Sequence, residues 1–93
     1  MISKNKLISK KISHACLIKF HFIYDNLKSA ERKAADFCLS NPSAVASLTI
    51  SEVAERSGCS EATLVRLARR LGYSGYPELR AHILPEDYED IFH

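Results

Sequence analysis

The stretch TISEVAERSGCSEATLVRLARRLG, Thr49 to Gly72, decides the fold. Its first four residues form a capping box. The Thr49 hydroxyl is placed to accept from the amide of Glu52, and the Glu52 carboxylate to reach back. A helix therefore starts there, carries Val53 and Ala54 inward and stops at Gly58, which takes a left-handed backbone after a helix at little cost. Only Gly58 and Cys59 separate it from Ser60, which caps a second helix from Glu61 to about Leu71. Leu64, Leu67, Ala68 and Leu71 share one face of that helix, and Gly72 ends it.

Counted from Ile50, the fifth residue is Ala54 and the ninth is Gly58, with apolar residues at the fourth (Val53), tenth (Cys59), fifteenth (Leu64) and eighteenth (Leu67) positions. This is the sequence form of a helix-turn-helix. Ala54 is small because the second helix crosses close to it, and Gly58 supplies the turn that sets the crossing angle. Ser57 departs from the pattern, being polar at an eighth position that is commonly apolar. The competing reading, a plain αα-hairpin in a bundle, does not require both hinge residues.

Outward from this stretch the chain reads as all-α, a compact bundle of five to six helices. Gly occurs only at 58, 72 and 75 and Pro only at 42, 77 and 85, and no alternating run of strand length lies between them. Residues 1–14 form a basic flexible arm. A helix over about 15–26 carries Leu17, Ile18, Phe22 and Ile23 on its inward side. A second, Ser29 to Ser40, turns Ala34, Phe37 and Cys38 inward with Leu27, and Arg32, Lys33, Asp36 and Ser40 outward. Asn41 as N-cap and Pro42 at the first helical position start a short helix through about Ser47. After Gly72, Ser74-Gly75-Tyr76-Pro77 introduces a last helix to about Leu84, with Leu79, Ile83 and Leu84 available to the core. The domain is thus expected over 15–84, with 85–93 an acidic tail or the start of a linker.

Ninety-three residues, 46% apolar and 26% charged, can build one core but not a catalytic domain beside a regulatory one. The longest apolar runs are broken by Lys19 and His21, so no membrane span is expected. No signal peptide is read at the start, and the expected location is cytoplasmic. Cys16, Cys38 and Cys59 lack metal-ligand spacing, and His14 with Cys16 does not share a helix face, so neither metal nor cofactor is expected. An enzyme is disfavoured as well, because no histidine pairs with a nucleophile and no Gly-rich phosphate loop exists.

The net charge of +2 hides an uneven layout. Met1 to Tyr24 holds five lysines and no acid, Arg56 to Arg80 five arginines against Glu61 and Glu78, and the final stretch four acids without a Lys or Arg. Such a layout permits a polyanion partner. On the second helix of the motif, Glu61, Ala62, Val65, Arg66, Arg69 and Arg70 are left outside the core, with Thr63 near the edge. A major groove admits one helix, and Arg bonds guanine bidentately, so Arg66 is the first choice for base readout. Glu61 and Ala62, at the N-terminal end, sit deepest. Glu61 either accepts from a cytosine amino group or is an ordinary first-turn acid favoured by the helix dipole. Thr49, Ser51, Ser60 and Thr63 are placed to meet phosphates through hydroxyls and helix amides, and Arg69 and Arg70 either reach phosphate or stay solvated. Tyr73 and Tyr76, beside glycines, are expected to pack under the reading helix rather than stack on bases.

Leu27 to Ile83 resembles the N-terminal DNA-binding domain of the RpiR family of bacterial transcriptional regulators. The resemblance is carried by Ala30-Glu31-Arg32-Lys33, Ala35-Asp36-Phe37, Asn41-Pro42, Thr49 to Ala54, Gly58 to Leu67, and Leu71-Gly72-Tyr73-Ser74-Gly75-Tyr76-Pro77-Glu78-Leu79. It implies a regulator of sugar or amino-sugar catabolism genes that binds double-stranded operator DNA as a homodimer. Family members usually continue into a sugar isomerase (SIS) domain, so a phosphosugar effector is expected only in a longer chain that carries one. The family tends to place a Ser or Thr cap where this chain has Lys28, which leaves Ser29 as the expected cap. A reading of a different class is a helical protein-interaction or dimerisation module with only nonspecific DNA affinity.

Overall fold

Apolar spacing and caps divide the chain as follows in the computed structural model, which describes residues 12–85. The helices are α1 (His14–Ile23), continued by a 3-10 turn at Tyr24–Asn26, α2 (Ser29–Ser40), α3 (Pro42–Ser47), α4 (Ile50–Ser57), α5 (Glu61–Arg70) and α6 (Tyr76–His82). There is no strand among the described residues, and the expected all-α bundle with its helix-turn-helix is the observed fold. Of the expected arm 1–14, residues 1–11 lie outside the described residues, while Ile12 is in the core, Ser13 is a helix cap and His14 opens α1; of the expected tail 85–93, residues 86–93 lie outside them.

The core gathers one face from each helix: Cys16 and Phe20 from α1, Ala34, Ala35 and Cys38 from α2, Val45 from α3, Val53 and Ala54 from α4, Leu64, Leu67 and Ala68 from α5, and Leu79 from α6. Ile12 and Ile83, outside the helices, join it. There the Ser13 amide donates to the carbonyl of Ile83 at 2.7 Å, closing the start of the domain onto its end. Ser13 also caps α1, accepting from the Cys16 amide at 3.1 Å. Tyr73 and Tyr76 are buried, as expected; Lys19 lies 5.5 Å over the Tyr73 ring, and the His82 ring is 5.9 Å from it.

Four local expectations are corrected. On α1 the fully buried residues are Cys16 and Phe20; of the expected inward set Leu17 and Ile23 pack partly buried against the core, whereas Phe22 is 81% and Ile18 44% exposed. Apolar residues surround this helix on all sides, so periodicity could not select the face; its two end anchors, Ile12 and Leu27, do. Second, Ser29 is the first helical residue of α2 rather than its cap; Lys28 holds the cap position, and its amide donates to the Glu31 carboxylate at 3.2 Å. Third, Asn41 holds the N-cap position of α3, as expected, but makes no capping bond with its side chain. Its Nδ2 donates to the Phe37 carbonyl at 3.2 Å, closing α2, while Pro42 begins α3 without needing an amide donor.

Fourth, Arg32, expected outside, is half-buried. Its Nη2 donates to the carbonyls of Tyr24, Asp25 and Leu27 at 3.3–3.4 Å, which satisfies the C-terminal end of the first helical stretch. The guanidinium also sits 5.2 Å over the Tyr24 ring, whose hydroxyl donates to Asp36 at 2.6 Å.

Candidate nucleic-acid interface

The capping box read from Thr49 and Glu52 is present in both directions. The Glu52 amide donates to Thr49 Oγ1 at 3.2 Å, and the Thr49 amide donates to Glu52 Oε1 at 3.0 Å. The Thr49 amide, joined by the Thr49 hydroxyl, which donates to the same oxygen at 3.2 Å, holds the Glu52 carboxyl below its ordinary range. At the other end of α4, Gly58 has φ 76°, which lets the Cys59 amide turn back to the Ala54 carbonyl at 3.0 Å. Ser57 is buried without a penalty, since its hydroxyl donates to that carbonyl at 3.2 Å. The polar departure at the eighth position therefore costs the motif nothing. Cys59 is half-buried, its Sγ 3.4 Å from the Ala30 carbonyl of α2.

Ser60 caps α5 by accepting from the Thr63 amide at 3.1 Å. Leu64, Leu67 and Ala68 are fully buried, so α5 can present only its opposite face: Glu61, Ala62, Arg66, Arg69 and Arg70 are exposed. Of the hydroxyls expected at phosphates, Thr49, Ser51 and Ser60 are exposed, but Thr63 is 4% exposed with its hydroxyl 2.9 Å from that of Ser60. Threonine at this position serves the turn. Ser51 and Glu61 meet across the motif, the hydroxyl donating to the carboxylate at 2.5 Å. The Arg69 side chain has no hydrogen bond or ion pair among the described residues, whereas Arg70 donates from Nε to Glu31 Oε1 at 3.0 Å and from Nη2 to the Asn26 carbonyl at 3.5 Å.

Glu31 is the participant that the sequence pattern missed. Hydropathy places a glutamate outside, yet this side chain is 5% exposed, lodged between α2 and α5, the pair of helices with the most extensive mutual packing. Its second oxygen faces Arg66 Nε at 3.7 Å. The signal lay in two arginines one helical turn apart on α5, which could share a buried acid.

A tight two-helix unit with a fully buried inner face and a cationic outer face defines a helix-turn-helix domain of the kind found in DNA-binding transcriptional regulators. Residues 14–89 match the helix-turn-helix domain of the rpiR family, and the chain belongs to that family. It is 36% identical over 67 residues to an uncharacterised HTH-type transcriptional regulator of Haemophilus influenzae, covering 72% of this chain and 23% of that protein. With the HTH-type transcriptional regulator HexR of Pseudomonas aeruginosa the identity is 41% over 59 residues, 63% of this chain and 21% of HexR. The chain thus spans a fifth to a quarter of the length of these relatives. Among solved structures, the N-terminal domain of ybbH from Bacillus subtilis superposes with a TM-score of 0.71 at 25% identity, over 87% of this chain and 98% of that one.

Proposed function

We propose that this domain binds double-stranded operator DNA, one copy per half-site, with α5 in the major groove. The observation that carries the reading is the division of α5 itself: the Leu64, Leu67 and Ala68 side is sealed, while Glu61, Ala62, Arg66 and Arg69 are open along the other. Arg66, Glu61 and Ala62 face base edges. Thr49, Ser51, Ser60 and Arg69 stand toward phosphates, where hydroxyls, first-turn amides and an exposed guanidinium supply register and salt-dependent affinity. Thr63 and Arg70 support the reader from beneath.

One copy touches about one half-site, so specific binding requires two copies on DNA. Family membership points to genes of sugar or amino-sugar catabolism as the targets, and a phosphosugar effector belongs to an SIS domain in those longer proteins that carry one. A second reading, a module that docks on another protein, is favoured by the 81% exposure of Phe22. Selection of bound sequences from random duplexes, with sizing of the complex, tests both. Enrichment of a spaced, symmetric site in a two-copy complex supports the operator reading. Binding that ignores sequence and vanishes at moderate salt rejects it in favour of protein docking.

A further inference from the structure

Glu31 lies on α2, outside the helix-turn-helix, yet both of its carboxylate oxygens face arginines of α5. Burying a carboxylate is costly unless it is paired, so this placement demands its partners. The pairing is unequal. Arg70 is hydrogen-bonded to Oε1 at 3.0 Å and holds the Asn26 carbonyl as well, which commits it to the fold. Arg66 Nε stands 3.7 Å from Oε2, an ion pair without a hydrogen bond, and Arg66 Nη2 reaches Thr63 Oγ1 at 3.4 Å while the side chain stays 59% exposed. Arg66 is therefore steered along one edge and open along the other.

We propose that Glu31 is a positioning residue for base readout, orienting the Arg66 guanidinium toward the DNA while withdrawing Arg70 from it. The proposal rests on the reading of α5 as the groove helix. An unrestrained arginine serves a phosphate or a base equally and loses more rotamer freedom on binding. One steered at Nε offers its remaining N–H groups in a set direction, the requirement for a bidentate guanine pair. Glu31 also offsets part of the positive charge of α5, which weakens indiscriminate attraction to phosphate. Both effects favour discrimination over bulk affinity.

The test uses the full chain and its selected duplex beside a scrambled one, at equal salt, with wild type, Glu31→Gln, Arg66→Ala and the double variant. Glu31→Gln is expected to hold or tighten binding to the scrambled duplex while the specific-to-scrambled ratio falls about tenfold, the low end of what one guanine pair supplies. On the Arg66→Ala background the same change should cost nothing further. If Glu31→Gln keeps the ratio while Arg66→Ala loses it, α5 still reads DNA and the role assigned to Glu31 is overturned. If Arg66→Ala also keeps the ratio, the groove-helix reading falls and takes the proposal with it. Should Glu31→Gln fail to fold, the heteronuclear NOE of the arginine Nε–H groups in the wild type decides. Arg66 is expected to be rigid beside a mobile Arg69, and equal mobility of the two would overturn the proposal.

Discussion

The hydroxyl of Ser51 donates to the carboxylate of Glu61 at 2.5 Å, joining the first turn of α4 to the first turn of α5. Two groups expected to contact DNA separately thus satisfy each other in the free domain. The carboxylate sets a negative charge at the face proposed to meet DNA, where the phosphate field opposes it. Glu61→Gln removes the charge and keeps an oxygen for Ser51. The expected result is a severalfold gain in affinity for scrambled duplex together with relaxed choice at one base pair, measured by competition binding at two salt concentrations. An unchanged preference at every position would show that Glu61 is only a first-turn acid.

Arg70 is expected to matter for stability. Arg70→Met keeps the aliphatic stem over the surface but leaves the Glu31 carboxylate short of its hydrogen-bonded cation. A loss of about 1–3 kcal/mol follows, below the full cost of breaking a buried pair because Arg70 is itself partly exposed and Arg66 remains. Urea denaturation at pH 7 measures it; a change within about 0.5 kcal/mol, typical of a surface substitution, would contradict the assignment.

The same carboxylate gives the domain an acid limit. Burial works to raise the pKa of Glu31, but the Lys28 amide, the Arg70 hydrogen bond and charge, and the Arg66 charge together outweigh it, so the group titrates below its ordinary 4.5. A pKa lower in the folded than in the unfolded chain contributes stability that is present above the unfolded value and lost as pH falls through the folded one. Stability from this source should therefore hold from pH 7 to about pH 5 and decline below 4.5, and Glu31→Gln should flatten that decline. Glu52 and Glu78, each held low first by a backbone amide, of Thr49 and Ser74 respectively, add to the acid slope and keep part of it in the variant.

The face of α1 yields a sharp contrast between two phenylalanines two residues apart. Phe20 is 1% exposed in the core and Phe22 is 81% exposed. Phe20→Ala should cost about 3–5 kcal/mol through lost burial and a cavity, a large fraction of the about 5–15 kcal/mol that holds a domain together. Phe22→Ser should leave the thermal midpoint nearly unchanged. Equal losses for the two would place the wrong face of α1 against the core.

Legibility followed the strength of local signals. The limits of α4, the start of α5 and the inward set Val53, Ala54, Leu64 and Leu67 could be read because caps, glycines and a clear polar face all point the same way there, while α2 and α3 were bounded by Pro42 and the polar face although neither Ser29 nor Asn41 caps with its side chain. On α1 the apolar residues encircle the helix, and only tertiary anchors choose between Phe20 and Phe22. At the candidate interface the exposed set Glu61, Ala62, Arg66 and Arg69 followed from the inward leucines by elimination. Arg70 followed too, but its pairing with Glu31 and the burial of Thr63 and Glu31 did not, since which polar groups satisfy one another depends on the distance between α2 and α5, and residue types along one helix do not encode that distance.

The three cysteines supply a packing test without mutation. Burial pushes the Cys38 thiol up to about 12, and it raises Cys16 as well, against the lowering effect of the Tyr73 hydrogen bond and the Lys19 charge. At pH 8 both therefore stay protonated and shielded, and their alkylation must wait for opening of the fold. Cys59 is half-buried at the turn between α4 and α5, and its sulfur faces the Ala30 carbonyl of α2. Under native conditions alkylation should reach Cys59 first, with Cys16 and Cys38 following only as denaturant approaches the unfolding midpoint, an order that mass spectrometry of timed digests resolves. A bulky adduct on Cys59 would also wedge the turn away from α2 and strain the crossing of the two motif helices, so the modified domain should lose DNA affinity at unchanged net charge when the reagent is neutral. Labelling of Cys38 as fast as Cys59 in the native protein would contradict the packing of α2 into the core.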